Sequence, residues 1–411
     1  MIPQSAPPNR SQFLGFSCVG ACFSASHFPK SFISFRFSLR TLCLLCALCV
    51  NSFFYLSSAR AQNLDKPLQS IDEEITAFAF GPDGRIAFAT YHRLKTKQYD
   101  LEHDDIWIQE PGGKRRRILE GQKYARGTQV FSYIVDGFRW SPNGRILLVQ
   151  LLTTTITDVD SGAATDAFQT MLFDESGREV RIAKGDSIIP DGANAAVLPD
   201  NDTIAYLAEG VKPLPLFSIK TTRLSSGSFP SPQAGRTFRD VAWLPKMNFA
   251  VAIEQDRSLS GPPRLQSLDI LSDTAKELAT LDDYEGGLTV SPSGTKVAYF
   301  IDREVLEVRS LSTPNRLARM RIGLGVCRWT ADESRIFVKR ALEKKSGDIV
   351  WYEVPPLAPV SPNQEIPISQ PTPVSILHGI TFREFVISPD GRFLGVVVPG
   401  KRNLLIFPLP R

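Results

Sequence analysis

Chemistry that needs a strong nucleophile, a proton shuttle or a metal ligand has few residues to draw on in this chain. Of six cysteines, Cys18, Cys22, Cys43, Cys46 and Cys49 lie in the first fifty residues and only Cys327 lies beyond; the histidines that follow that segment are His92, His103 and His378. A nucleophilic pair built on Cys327 would need a histidine supplied by the fold. Cys327 opens the run Cys327-Arg328-Trp329 and reads as a small buried filler at the start of an inner strand. No G-x-S-x-G elbow occurs, so the usual nucleophile of a hydrolase domain is missing. His92 and His103 flank a charged loop, Tyr91–Asp105, but neither has H-x₃-H or C-x-x-C spacing. Asp158, Asp160 and Asp166 around Gly162 faintly suggest a calcium loop; a ligand is missing where Gly162 falls, the terminal Glu is absent, and a solvated polar turn is the simpler reading. No catalytic residue, metal ligand or cofactor is therefore assigned, and the binding residues are left open.

Two further tracts carry chemistry of a looser kind. Lys114-Arg115-Arg116-Arg117 could grip phosphate, a heparin-like polymer or an acidic partner. It also reads as a basic edge strand after a Gly112-Gly113 turn, with Glu110 and Glu120 nearby, since edge strands carry Lys and Arg against unwanted pairing. The Pro-rich tract Pro355–Pro373 reads as an insertion in the penultimate repeat, with a partner-docking extended segment as the other reading. Trp107, Trp140, Trp243, Trp329 and Trp351 recur at repeat positions and are read as packing.

The elements that must position these residues are repeated. Phe78-Ala-Phe-Gly-Pro-Asp-Gly-Arg85, Phe138-Arg-Trp-Ser-Pro-Asn-Gly-Arg145, Leu288-Thr-Val-Ser-Pro-Ser-Gly-Thr295 and Phe385-Val-Ile-Ser-Pro-Asp-Gly-Arg392 align, and weaker copies begin at Ala196, Val241 and Cys327. The mean step is about 51 residues. Each copy is a hairpin: an apolar strand, a turn in which Pro sets φ and Gly supplies positive φ, then a β-branched or aromatic strand. Further strand-like runs, such as Asp105–Gln109, Leu265–Ile270 and Asp348–Val354, bring each period to roughly four strands, without long helical periodicity. Four-stranded units at this spacing cannot bury both faces alone and must stack radially. The expected fold is all-β, a β-propeller of seven four-stranded blades, with six as the alternative. Asn63–Ile75 or the C-terminus is expected to lend a strand that closes the ring.

Length and composition agree with this. The 411 residues are 43% hydrophobic and 22% charged, which is globular composition. Residues 1–61 hold five of the 47 basic groups and none of the 43 acids, so the rest is close to neutral and gives no reason to expect a nucleic-acid partner. That first segment reads as a secretory signal. Arg40 precedes the apolar run Leu42–Leu56, and Ala59-Arg60-Ala61 is an A-x-A exit with cleavage expected after Ala61. An uncleaved anchor and a lipidated Cys22, in Val19-Gly20-Ala21-Cys22, are the rival readings. The expected organisation is a leader, 1–61, and a single propeller domain, 62–411.

The F-x-W-S-P-D-G-R pattern across residues 70–411 resembles the WD-repeat-like module of TolB-type periplasmic propellers, shared with the propellers of oligopeptidases. The copies at 196, 241 and 327 depart from the Ser-Pro-Asp-Gly turn, and no separate N-terminal α/β domain precedes the repeats. The resemblance implies a periplasmic or secreted non-enzymatic scaffold, a monomer, that binds a protein or peptide. A lactonase-like propeller enzyme with acids converging on its axis, and a regulatory propeller for a separate hydrolase, are the alternatives.

Overall fold

A computed structural model of the chain describes residues 64, 66–95, 100–124, 130–158, 163–180, 194–207, 215–221, 223–228, 230, 232–244, 247–258, 261–341, 347–361, 364–380, 382, 384–398 and 403–409. The leader and Val159–Gly162 of the acidic turn lie outside them. Every regular element among the described residues is a strand. A short β1 (Gln69–Ile71) comes first. The first sheet is β2 (Ile75–Phe80), β3 (Ile86–Lys95), β4 (Asp100–Gln109) and β5 (Arg115–Leu119), in that order. β6 (Gln122–Tyr124), β7 (Val130–Trp140), β8 (Ile146–Asp158) and β9 (Ala163–Asp174) make the second. The third holds β10 (Asn194–Val197), β11 (Thr203–Leu207), β12 (Pro215–Ser218) and β13 (Arg223–Ser228). The fourth holds β14 (Arg236–Trp243), β15 (Phe249–Asp256), β16 (Arg264–Asp269) and β17 (Thr274–Thr280).

The fifth sheet is β18 (Gly286–Val290), β19 (Lys296–Phe300), β20 (Val305–Ser310) and β21 (Arg316–Arg321). The sixth begins with β22 (Cys327–Trp329), β23 (Arg335–Ala341) and β24 (Gly347–Glu353). There the chain leaves to lay β25 (Ala358–Pro359) and β26 (Ile368–Ser369) along the free edge of β21, then returns as β27 (Val374–Ile380). So the Pro-rich tract is an insertion from the sixth sheet that straps the fifth, covering an edge that would otherwise invite pairing. The seventh sheet is β28 (Glu384–Ile387), β29 (Phe393–Val397) and β30 (Leu404–Pro408). Its fourth strand is β1, which pairs antiparallel with β30 through Gln69↔Ile406 and Ile71↔Leu404. Of the segment Asn63–Ile75, these three residues are the strand that closes the ring.

The repeat explains why the sheets stack. In each one the residue opening the first turn donates its backbone N–H across it, as Gly81 does to Arg85 O, Ser141 to Ile146 O and Thr330 to Arg335 O. Counting back from that residue, the first and third side chains pack on the preceding sheet. Phe80 and Phe78 join Val397 and Ile406 of the seventh sheet, Trp140 and Phe138 join Ile106 and Leu119 of the first, and Trp329 and Cys327 join Phe300 and Leu306 of the fifth. Four more apolar clusters occupy the four remaining seams. Strand β2 lies against β7, β7 against β10, β14 against β18, β18 against β22 and β28 against β2, so these strands form the inner wall.

The turns themselves cross-link neighbours. Gly84, Gly144, Gly294 and Gly391 take the positive φ that the turn demands. At Gly391 a Cβ would also stand 2.6 Å from the Ala331 Cβ of the sixth sheet. Two degenerate copies place a side chain in that left-handed position, Asn201 at φ 56° and Glu333 at φ 59°. Both are tied back to the preceding turn, which offsets the strain. Asn201 Oδ1 accepts the N–H of Asn143 at 3.0 Å, and Glu333 accepts the N–H of Ser293 and faces Lys296 Nζ at 3.7 Å.

Candidate functional site

Antiparallel alternation puts every Pro-Asp-Gly turn at one end of the ring and the β3–β4 and β8–β9 connections at the other. At that second end the first two sheets rise above the rest. Strands β3 and β4 have 10 residues each and β7, β8 and β9 have 11, 13 and 12, against 5 for β19 and 5 for β29. Burial becomes one-sided part-way up: Ile156 of β8 is still buried, while its neighbours on β9 are not. The first six residues of β9, Ala163–Phe168, are exposed, with Phe168 at 45%, and so are His92, Arg93 and Lys95 of β3.

Cross-strand polar pairs hold this raised platform where burial no longer does. Arg93 makes a two-pronged bond to Asp100 at 2.7 and 2.6 Å, Tyr91 donates to Glu102 at 2.7 Å, and Thr154 donates to Asp166 at 2.7 Å. Its base is clamped by two adjacent buried aspartates of β4. Asp104 accepts the N–H of Val135 on β7 at 2.8 Å, and Asp105 accepts the N–H of Gly121 at 2.8 Å and the Arg117 guanidinium at 2.9 Å. The chain passes so close at Gly121 that a Cβ there would overlap the Asp104 backbone.

The structure corrects the reading of His92 and His103 as flanks of a loop. They sit directly opposite each other on β3 and β4, rings stacked with centroids 5.4 Å apart. His92 Nε2 lies 3.1 Å from Thr90 Oγ1 and 3.8 Å from Asp105 Oδ2. Burial, reinforced by His92, lowers the pKa of His103 against the opposing pull of Asp105 and Glu120. The missed signal was symmetry, since His92 and His103 are equidistant from the polar stretch Thr96–Tyr99. Among the described residues no group of three or more His, Cys, Asp or Glu side chains is arranged to hold a metal.

The other sequence candidates fall into structural contacts. Arg115 binds Glu73 at 2.8 Å and Gln109 at 2.9 Å, Arg116 reaches the carbonyls of Ser176 and Glu175, and Arg117 binds Asp105 while its guanidinium stands 6.0 Å from the Trp107 ring. That engagement of three guanidiniums on the outer strand β5 favours the basic-edge reading over a phosphate grip. Cys327 is buried at 3% exposure, and desolvation pushes its thiol up to about 12. His378 lies on β27 with Nδ1 2.8 Å from Asp348 of β24. Asp158 and Asp166 lie on β8 and β9, and Asp160 lies outside the described residues. Two clefts of about 580 and 550 Å³ flank the strap; the second is lined in part by Lys296 and Glu333, which already pair with each other. No helix among the described residues is long and apolar enough to cross a membrane.

No protein-family model matches this sequence, and no curated protein matches it either. Solved structures do. A chain of the mitotic checkpoint complex superposes with a TM-score of 0.50 at 14% identity, over 86% of this chain and 94% of that one. The β-propeller domain of Cps50 (Swd1) from Myceliophteria thermophila gives a TM-score of 0.50 at 15% identity, over 83% of this chain and 99% of that domain. Identities this low speak for fold alone. The fold is a β-propeller, with a WD-repeat-like unit.

Proposed function

We propose that this chain is a non-enzymatic β-propeller scaffold, exported to the periplasm or beyond and TolB-like in kind, that holds a protein or peptide on the raised end of its first two sheets. One observation carries the reading. Five strands extend past the shorter strands of the other sheets into a braced platform, and the first six residues of β9 on it, Ala163–Phe168, are exposed, Phe168 among small and polar side chains. Long strands cost conformational entropy that exposed residues do not repay, so a surface kept ordered by ion pairs is suited to receiving a partner. The exposed strands Ala163–Phe168 and His92–Lys95 suit addition of an extended peptide, with main-chain bonds supplying affinity. The A-x-A leader supports export.

The test is a pull-down from native envelope extract with the intact protein and with a variant whose β8–β9 hairpin is trimmed by replacing residues 154–166 with Asn-Gly. A partner held by the intact protein should be lost by the trimmed one while its melting temperature stays close to the parent's. Equal capture by both would rule the platform out. A hydrolase among the captured proteins would support the regulatory form of the scaffold.

A further inference from the structure

The outer edge of the fifth sheet carries a cover made from the sixth, and the sequence of β21 says why it needs one. β17, the corresponding strand of the fourth sheet, is exposed for most of its length and carries Lys276 and Glu277. β21 reads Arg-Leu-Ala-Arg-Met-Arg, with Leu317, Ala318 and Met320 buried. Left bare, such an edge offers main-chain groups beside apolar side chains to any extended chain. The strap meets it in two short stretches. Leu317 faces Ala358 and Arg316 faces Pro359 in antiparallel register, while Arg319 and Met320 run parallel to Ile368 and Ser369.

The hold is light. Val354 and Leu357, at the root of the strap, pack on the apolar cluster between the fifth and sixth sheets. Further along, Val360 N–H reaches Asn315 O at 2.8 Å and the Ser369 hydroxyl donates to Arg319 O at 2.9 Å, but Ala358, Pro359 and Ile368 are exposed. Short pairings in contact with water open locally before the sheet beneath them does. Charge also makes the strap a poor occupant. β21 holds Arg316, Arg319 and Arg321 and no acid. Arg319 bonds to Glu307 and Asp282, and Arg321 lies 3.4 Å from Glu304. Arg316 is exposed and has no carboxylate partner among the described residues; its Nε and Nη2 donate to the Leu357 carbonyl at 3.3 and 2.9 Å. Opposite it stands uncharged Pro359. A guanidinium fork fits a carboxylate better than a single carbonyl oxygen, in energy and in geometry.

We propose that the edge of β21 is a second docking site, for an acidic extended peptide that adds to β21 where β25 now lies, with its carboxylate on Arg316. The strap is the internal occupant that shuts this site until such a peptide lifts it away. Main-chain bonds to β21 supply affinity, and the cross-strand pair with Arg316 supplies selection. The site belongs to the fifth sheet and does not depend on the platform of the first two.

Fluorescence anisotropy of labelled peptides on the protein expressed from its full-length sequence tests this. The peptides copy residues 354–361 of the strap, unaltered, with Pro359→Glu, and with Pro359→Lys. The Glu peptide should bind at least about tenfold more tightly than the other two. Arg316→Gln, at an exposed position, should fold as the parent does and erase that preference. In the protein, Ala358→Pro removes the N–H that the ladder aims at Leu317. That variant should exchange amide hydrogens faster along β21 and bind the Glu peptide about tenfold more tightly, because the open edge is more populated. Pro359→Glu in the protein gives the strap the acid itself and should close the site to every peptide. Thermal melts accompany each variant to show that it is folded. Equal binding of the Glu and Lys peptides, or a preference that survives Arg316→Gln, would overturn the inference. So would the absence of binding to both the parent and the Ala358→Pro protein. Trimming the β8–β9 hairpin should leave the titration unchanged; loss of binding there would put the peptide on the platform and overturn the inference as well.

Discussion

Residues that a sequence search flags for chemistry are, in this protein, mostly spoken for by packing. Cys327 is the clearest case. Its neighbours Trp329, Phe300 and Val338 enclose it, and the thiolate that nucleophilic chemistry needs is suppressed by desolvation with a thiol near 12. Iodoacetamide at pH 8 should therefore leave Cys327 unmodified in the folded protein and label it fully in denaturant, as read by peptide mass. Rapid labelling of the native protein would mean that the sixth sheet opens or that the thiol is exposed. The sequence already pointed to a buried filler, because Cys327 occupies the repeat position that Phe78, Phe138 and Phe385 hold elsewhere. It did not show His92 stacking on His103, because register across a hairpin depends on where the turn falls, and nothing apolar marks that turn.

At the scale of the element, the turns are the unit that propagates. Asp83, Asp200, Asp332 and Asp390 occupy equivalent turn positions, and all four carboxyls are held below the usual range. Burial opposes ionisation at Asp83, Asp200 and Asp390 and is outweighed by hydrogen bonds from Arg85, from Thr203 and Asp202, and from Ser388 and Arg392; at Asp332 the Thr330 hydroxyl acts most strongly. Glu333 follows the same pattern, with burial overcome by bonds from Ser293 and the charge of Lys296. Groups with depressed folded pKa values bind fewer protons in the native state than in the unfolded one. Their contribution is complete above the ordinary carboxylate pKa of about 4 and is lost as the pH falls below it. Tryptophan fluorescence should therefore report an acid transition below about pH 4, and a variant with Asn at Asp83, Asp332 and Asp390 should show a shallower pH slope. An unchanged slope would mean that these turns are not coupled to global stability.

The whole molecule depends on closure. Ile71 of β1 is fully buried among Phe78, Leu404 and Ile406, while Leu68, three residues earlier, is 66% exposed. Ile71→Ala should cost about 3 kcal/mol and lower the melting temperature by several degrees, and Leu68→Ala should be near neutral. Comparable, small effects at both positions would remove β1 from the ring.

By itself the sequence determined the all-β class, the hairpin unit and its spacing, because Pro, Gly and alternating apolar residues act over a few positions and leave a local imprint. It also anticipated the insertion at Pro355–Pro373 and the structural role of the tryptophans. Only the tertiary structure decided which hairpins rise above the ring and that the insertion straps the neighbouring sheet. The reason is physical. The outer ends of the raised strands are polar and so carry no apolar signature, and the strap pairs with an edge that belongs to the preceding sheet, which no local pattern in the strap itself announces.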